Sequence, residues 1–178
     1  MSDIRKKTHS ALKSPVPRGG SGGARAAAHN VLTVLHIDDD PNDTELLRAA
    51  TKRAKTQFDL QNVEDGEHAI AYLNGDGIYA DRDRYPMPAL ILLDLKMPRA
   101  TGMEMLKWIR RHPEFSQVPV VVLSGSELHE DIRQAYAIGA NSYLIKPLGF
   151  EALVDLVKDV DAVWLGDLKP TQVAIASS

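Results

Sequence analysis

The chain has 178 residues, 44 % of them hydrophobic, which suits one domain with a sizeable core. It contains no cysteine, so disulfides, thiolate chemistry and cysteine-based zinc sites are excluded. The formal charge of -3 is unevenly spread: residues 1–29 carry Arg5, Lys6, Lys7, Lys13, Arg18 and Arg25 against Asp3, about +5, which leaves the remainder at about -8 and argues against general nucleic-acid or DNA binding.

No apolar run approaches the ~18 residues of a membrane span, and the N-terminus lacks the apolar core of a secretory signal. The expectation is a soluble, cytoplasmic protein without a membrane partner. Residues 1–29 mix Lys, Ser, Pro, Gly and Ala without an apolar period, so they read as a flexible basic extension.

Val31 to Ile37 is a β-rich run that ends in Asp38-Asp39-Asp40-Pro41. A helix follows, with Asp40 as N-cap, Pro41 at the first helical position, Asp43 in the first turn and an apolar face of Leu46, Leu47 and Ala50. The unit recurs as Phe58 to Val63 then Glu67 to Leu73, Leu90 to Leu93 then Gly102 to Arg111, Val118 to Leu123 then Glu130 to Ile138, and Ser142 to Ile145 then Phe150 to Trp164. Such alternation implies an α/β fold, a parallel five-stranded sheet with right-handed crossovers and helices on both faces. The most apolar strands, the first, third and fourth, belong at the centre, and the order 2-1-3-4-5 puts them there. The alternating charges of the long loop from Asn74 to Pro88 read as a solvated surface, and residues 166–178 as a short tail, which leaves 30–165 as the folded domain.

In that order the strand ends bring Asp38 and Asp39 beside Asp94, which closes the apolar run Leu90-Ile-Leu-Leu and precedes Leu95-Lys96-Met97-Pro98. Three carboxylates gathered there repel one another unless a cation sits among them, and an oxygen-only set suits Mg²⁺ or Mn²⁺. Ser124 ends the fourth strand with a hydroxyl and Lys146 ends the fifth with a cation. Metal, ammonium and hydroxyl together match the three equatorial oxygens of a phosphoryl group in transfer. Taken singly, Ser124 is an ordinary strand-end turn residue, Lys146 a surface lysine and Asp40 a helix cap. The joint placement makes the argument.

These residues, with Pro41, Gly102, and the run Gly139-Ala-Asn-Ser-Tyr143-Leu-Ile-Lys146-Pro147, resemble the receiver domain of a two-component response regulator from about Val31 to about Trp164. The resemblance implies a flavodoxin-like (βα)5 doubly wound domain in which Asp94 attacks a phosphohistidine of a sensor histidine kinase and becomes an aspartyl phosphate. It implies that Asp39 and Asp94 bind Mg²⁺ directly, Asp38 mostly through water, and the main-chain carbonyl of Lys96 completes the set. Lys146 pairs with the phosphoryl group, Ser124 is the switch hydroxyl, and Tyr143 is the aromatic switch residue whose ring turns inward. A cis Lys146–Pro147 bond is also implied.

The length leads us to expect a stand-alone receiver that signals to an unknown downstream protein through the surface around helix 4, strand 5 and helix 5, and is not a turnover enzyme. The long loop before strand three, the wording Val118-Pro-Val-Val-Val-Leu-Ser124 and Trp164-Leu165 resemble regulators paired with phytochrome-type kinases, many of which form homodimers. Two rivals stand beside this reading. An Asp-nucleophile phosphatase of the haloacid-dehalogenase type wants a second acid where Lys96 stands, and a scaffold without phosphorylation would not need all five site residues. A flavin site would need a phosphate loop where Asp38 to Asp40 repel phosphate. His36 reads as a satisfied core histidine. On the last helix Leu153, Leu156, Val157, Val160 and Trp164 form the core stripe, with Phe150, Val154 and Val163 left for a partner.

Overall fold

The computed structural model describes residues 31–97 and 101–166; the extension at 1–29, Pro98, and the tail beyond Gly166 lie outside the described residues. Five strands, β1 (Leu32–Ile37), β2 (Phe58–Val63), β3 (Leu90–Leu93), β4 (Val120–Ser124) and β5 (Ser142–Ile145), pair in parallel in the order β2-β1-β3-β4-β5. Between and after them run α1 (Pro41–Ala54), α2 (Gly66–Asn74), α3 (Gly102–Arg111), α4 (His129–Ile138) and α5 (Phe150–Val160), the last continued by a wide π-type turn, Asp161–Leu165. This is the expected doubly wound sheet.

The strand period of two divides the core. Leu35, Ile37, Ile91, Leu93, Val120, Val122 and Tyr143 pack on one face with Ala69 and Leu73 of α2, Met105, Leu106 and Ile109 of α3, and Ala135 of α4. Val34, Leu90, Leu92, Val121 and Leu123 pack on the other with Leu47 and Ala50 of α1 and Val154, Val157 and Val160 of α5. Strands buried on both faces need continuous apolar runs, and β3 and β4 supply them.

Four expectations are corrected. The fourth strand begins at Val120, because Pro119 has no N–H to give to the ladder and only accepts, from Ile91 at 2.9 Å. The regular part of the last helix stops at Val160, and the helix is rolled so that Val154 is buried while Leu153 and Leu156 lie at the edge of the contact. Val154 is therefore core and no partner surface; Phe150 and Val163 stay exposed. The loop after α2 is not merely solvated. Arg82 donates to the carbonyls of Tyr72 (2.8 Å) and Leu73 (2.7 Å), closing the end of α2, and Tyr72, Tyr79 and Tyr85 pack ring against ring at 5.1–6.0 Å. Finally, no cis peptide occurs among the described residues, so Lys146–Pro147 is trans; the small intrinsic preference at X-Pro bonds lets the local turn decide.

Arg110 ties the far edge of the sheet together. Its guanidinium donates to the carbonyls of Gly139 (2.9 Å), Ser116 (3.2 Å) and Val118 (3.0 Å) and to Asn141 Oδ1 (2.8 Å), which itself accepts from Val120 N. A lysine has neither the fork nor the donors for this set. Arg110→Lys is expected to cost about 2 kcal/mol or more, since half-buried carbonyls lose their partners; urea unfolding measures it, and an unchanged midpoint refutes it.

Candidate functional site

Backbone bonds just beyond the strand ends bring the site together. Asp38 N–H donates to Val63 O (3.1 Å), Asp94 N–H to Ile37 O (3.0 Å) and Lys146 N–H to Ser124 O (3.0 Å), so each site residue continues its strand's ladder by one step. The helix after β1 starts as the sequence predicts, with Asp40 Oδ1 accepting from Asn42 N at 2.8 Å. α3 opens with a reciprocal capping box between Thr101 and Glu104. Its first residue must be glycine, because a Cβ on Gly102 would land on the carbonyl oxygen of Asp94 and 2.7 Å from Leu95 Cα. The loop carrying Asp94 thus rests directly on the start of α3.

Asp38, Asp39 and Asp94 each offer a carboxylate oxygen, and these three lie within 4.8 Å of one another. Asp38 and Asp94 are buried and Asp39 is half-buried. Asp94 Oδ1 is buried without a hydrogen-bond partner. A buried, unpartnered carboxylate oxygen facing two more carboxylates fits a divalent cation, whose charge removes the mutual repulsion. Lys96 follows Asp94 by two residues on the same loop, its side chain exposed between buried Leu95 and Met97. A second acidic group, Glu64, Asp65 and His68, is explained by local structure: Asp65 caps α2 by accepting from His68 N at 2.8 Å and pairs with the His68 ring.

Lys146 supplies the positive charge. Its Nζ lies 2.7 Å from Asp38 Oδ2, 2.7 Å from Asp43 Oδ2 and 3.6 Å from Asp94 Oδ2. Burial alone would lower its pKa, but the bonds to Asp38 and Asp43 and the charges of Asp38 and Asp94 raise it well above the usual lysine value. For Asp38 burial works upward, yet the neighbouring His36 ring, the Lys146 ammonium and the Asp40 N–H hold it down at about 2. His36 is a core residue, 1 % exposed, but not the fully satisfied one expected: its Nδ1 lies 3.3 Å from the Asn62 amide, while its buried Nε2 makes no hydrogen bond and stands 3.4 Å from Asp38 Oδ2.

Ser124 and Tyr143 sit on the opposite parity of their strands from Leu123 and Leu144, toward α3 and α4. Ser124 is fully buried, and its Oγ accepts from Ser126 N at 3.3 Å. The Tyr143 ring is already inward, 4 % exposed, with its hydroxyl donating to Ser126 O at 2.9 Å. Ser126 Oγ in turn donates to Asp131 Oδ2 in the first turn of α4 at 2.5 Å. Sequence reasoning missed two of these groups, Asp43 and Asp131. Asp43 did carry a signal: with Leu47 and Ala50 it forms an i, i+4, i+7 row, the sheet-facing side of α1. Asp131 carried none, since an acid in a first turn is unremarkable in sequence.

The response regulator receiver domain family matches residues 34–158. The chain is 34 % identical to the probable methanogenesis regulatory protein FilR2 of Methanothrix harundinacea, over 83 % of this chain and 93 % of FilR2. It is 33 % identical to response regulator Rcp1 of Synechocystis, over 74 % of this chain and 88 % of Rcp1, and the Mn²⁺-bound crystal structure of Rcp1 superposes with a TM-score of 0.66. A crystal structure of RPA3017, a response regulator in red light signalling of R. palustris, matches at 35 % identity and a TM-score of 0.74, covering 80 % of this chain and 100 % of RPA3017.

Two outcomes follow from the geometry. Gly102→Ala should destabilise the protein by about 1–3 kcal/mol, because backbone and not a flexible side chain stands in the way of the methyl group; a urea midpoint equal to that of wild type overturns the close-approach account. Asp38 has its folded pKa at about 2, below the ordinary 3.8, so its ionised form contributes stability that is present above pH 3.8 and is lost as pH falls through about 2. In metal-free protein, wild type should lose on the order of 2 kcal/mol more than Asp38→Asn across that window. Parallel stability-against-pH curves for the two proteins refute this.

Proposed function

Because the chain belongs to the response regulator receiver family, we propose that it is a stand-alone response regulator whose Asp94 takes a phosphoryl group from the phosphohistidine of a partner sensor histidine kinase. The observation that carries this is the buried Asp94 oxygen without a hydrogen-bond partner, set among two further carboxylates and an ammonium. In the transfer a carboxylate oxygen of Asp94 attacks phosphorus, the P–N bond to the histidine breaks, and the imidazole leaves with the electron pair. Later a water oxygen attacks phosphorus, the P–O bond to Asp94 breaks, and inorganic phosphate leaves with the carboxylate restored. The protein catalyses only these two events on itself.

Phosphoryl transfer needs mainly position and charge neutralisation. Asp38, Asp39, Asp94 and the Lys96 main-chain carbonyl would hold Mg²⁺, with Mn²⁺ as a substitute. The cation supplies neutralisation of the phosphoryl oxygens' charge. Lys146 neutralises a second oxygen, and Ser124 exchanges its bond from Ser126 N–H for one to the third. Such a contact exists in one state only, which is the requirement for shifting an equilibrium. Tyr143, already inward, rests its hydroxyl on the carbonyl of Ser126, the neighbour it shares with Ser124.

The surface switched is that of α4, β5 and α5, where Leu128, Tyr136, Leu148 and Phe150 are exposed apolar groups, and it serves a homodimer and a downstream protein. A receiver at 30–165 is supported by the family match over residues 34–158. A phytochrome-type kinase as partner is supported by the likeness to RPA3017, whose own setting is red light signalling. No helix among the described residues is long and apolar enough to cross a membrane, and we place the protein in the cytoplasm, where such kinases deliver phosphate.

Wild type and Asp94→Asn, each incubated with Mg²⁺ and acetyl phosphate, are weighed intact and sized. Wild type should gain the mass of one phosphoryl group, lose it with EDTA present during labelling, and shift toward a dimer, while Asp94→Asn does none of these. A phosphoryl adduct on both proteins refutes Asp94 as acceptor; an adduct on neither refutes the switch.

A further inference from the structure

Lys146 is shared by three carboxylates, and the one it holds least closely is the phosphoacceptor. Its Nζ stands 2.7 Å from both Asp38 and Asp43 but 3.6 Å from Asp94. Asp43 is not among the carboxylates that cluster at metal-ligand distance, so its partner is the lysine rather than a cation. An acid in the first turn of a helix ordinarily serves the helix dipole and points to solvent. Asp43 instead lies on the face of α1 that buries Leu47 and Ala50, and its Oδ2 bonds a residue from the end of β5.

We propose that Asp43 is a positioning residue for Lys146: it draws the ammonium away from Asp94 in the unphosphorylated site and thereby sets how readily the lysine turns to an incoming phosphoryl group. To approach phosphoryl oxygens on Asp94, Lys146 gives up one of its short bonds. Asp43 is the partner to be released, since its side chain is 36 % exposed and water can replace the lysine, whereas the Asp38 side chain has no exposure. Asp43 therefore acts as a brake on phosphorylation. It also relieves Asp38: without Asp43 the ammonium would bear fully on Asp38 and compete there with a divalent cation.

This rests on the phosphoacceptor reading above. The test compares wild type, Asp43→Asn, Asp43→Glu, Lys146→Ala and the Asp43→Asn/Lys146→Ala double variant, with acetyl phosphate and saturating Mg²⁺. Asp43→Asn should phosphorylate several-fold faster than wild type, Asp43→Glu should return toward the wild-type rate, and the gain should vanish in the Lys146→Ala background. Independently of activity, Asp43→Asn should bind Mn²⁺ several-fold more weakly by water-proton relaxation. Its Lys146 ammonium resonance should shift and exchange faster with solvent, and this is read in the single variant whether or not Lys146→Ala folds. An unchanged or slower rate in Asp43→Asn, a gain that persists without Lys146, or an unmoved ammonium resonance overturns the proposal. If wild type takes no phosphoryl group at all, the failure lies with the phosphoacceptor reading; if it does and Asp43→Asn behaves identically, only the role of Asp43 fails.

Discussion

Mutual repulsion among buried carboxylates is the constraint around which this molecule is arranged. Asp38, Asp39 and Asp94 converge at one sheet edge, and Asp43 closes on the same lysine from α1. Burial alone would push Asp38 toward protonation. The ammonium of Lys146, set among these carboxylates by the β5 ladder, keeps Asp38 ionised. One positive charge against four negative ones leaves a site that is still strongly anionic, which is what makes a divalent cation welcome there and a bare phosphate unwelcome. The fold contributes by supplying rigidity: the strands are apolar on both faces, so the carboxylates cannot retreat into the interior, and the ladder fixes where each begins.

The sheet also separates two sets of polar groups. By the alternation of strand residues, His36, Asp38 and Asp94 share the parity of the face covered by α1 and α5, while Ser124 and Tyr143 share that of the face covered by α3 and α4. The buried carboxylates Asp38 and Asp94 and the pair Ser124 and Tyr143 therefore lie on opposite layers of the sheet. Ser126 joins Tyr143 to α4, receiving Tyr143 OH on its carbonyl and giving its own hydroxyl to Asp131.

Most of this fold was legible in the sequence because each layer has its own period. The five strand-then-helix units, the central position of β1, β3 and β4, and the meeting of Asp38, Asp39, Asp94 and Lys146 followed from apolar runs ending in polar residues; Ser124 joins Lys146 through a backbone bond. What escaped had a common physical reason. Arg82 and the tyrosines around it look like loop composition, but they pack because the carbonyls ending α2 need donors, a demand invisible in a charge pattern. Val154 was misplaced because an apolar arc on α5 is wider than the sheet can cover, and only packing selects its centre. Asp43 and Asp131 do what first-turn acids do in sequence; their partners lie 103 and 5 residues away, and one-dimensional spacing carries the second no better than the first.

The Arg110 clamp has a mechanical meaning. It grips the carbonyl of Gly139 at the C-terminal end of α4 and, through Asn141, the first amide of β4. The opposite end of α4 starts at Leu128 with no side-chain cap. The head of α4 is held instead from the loop after β4, by the Ser126 hydroxyl on Asp131 in the first helical turn. The two ends of one helix thus answer to different parts of the sheet: the tail to the N-terminal edge of β4, the head to the loop that leaves its C-terminal edge.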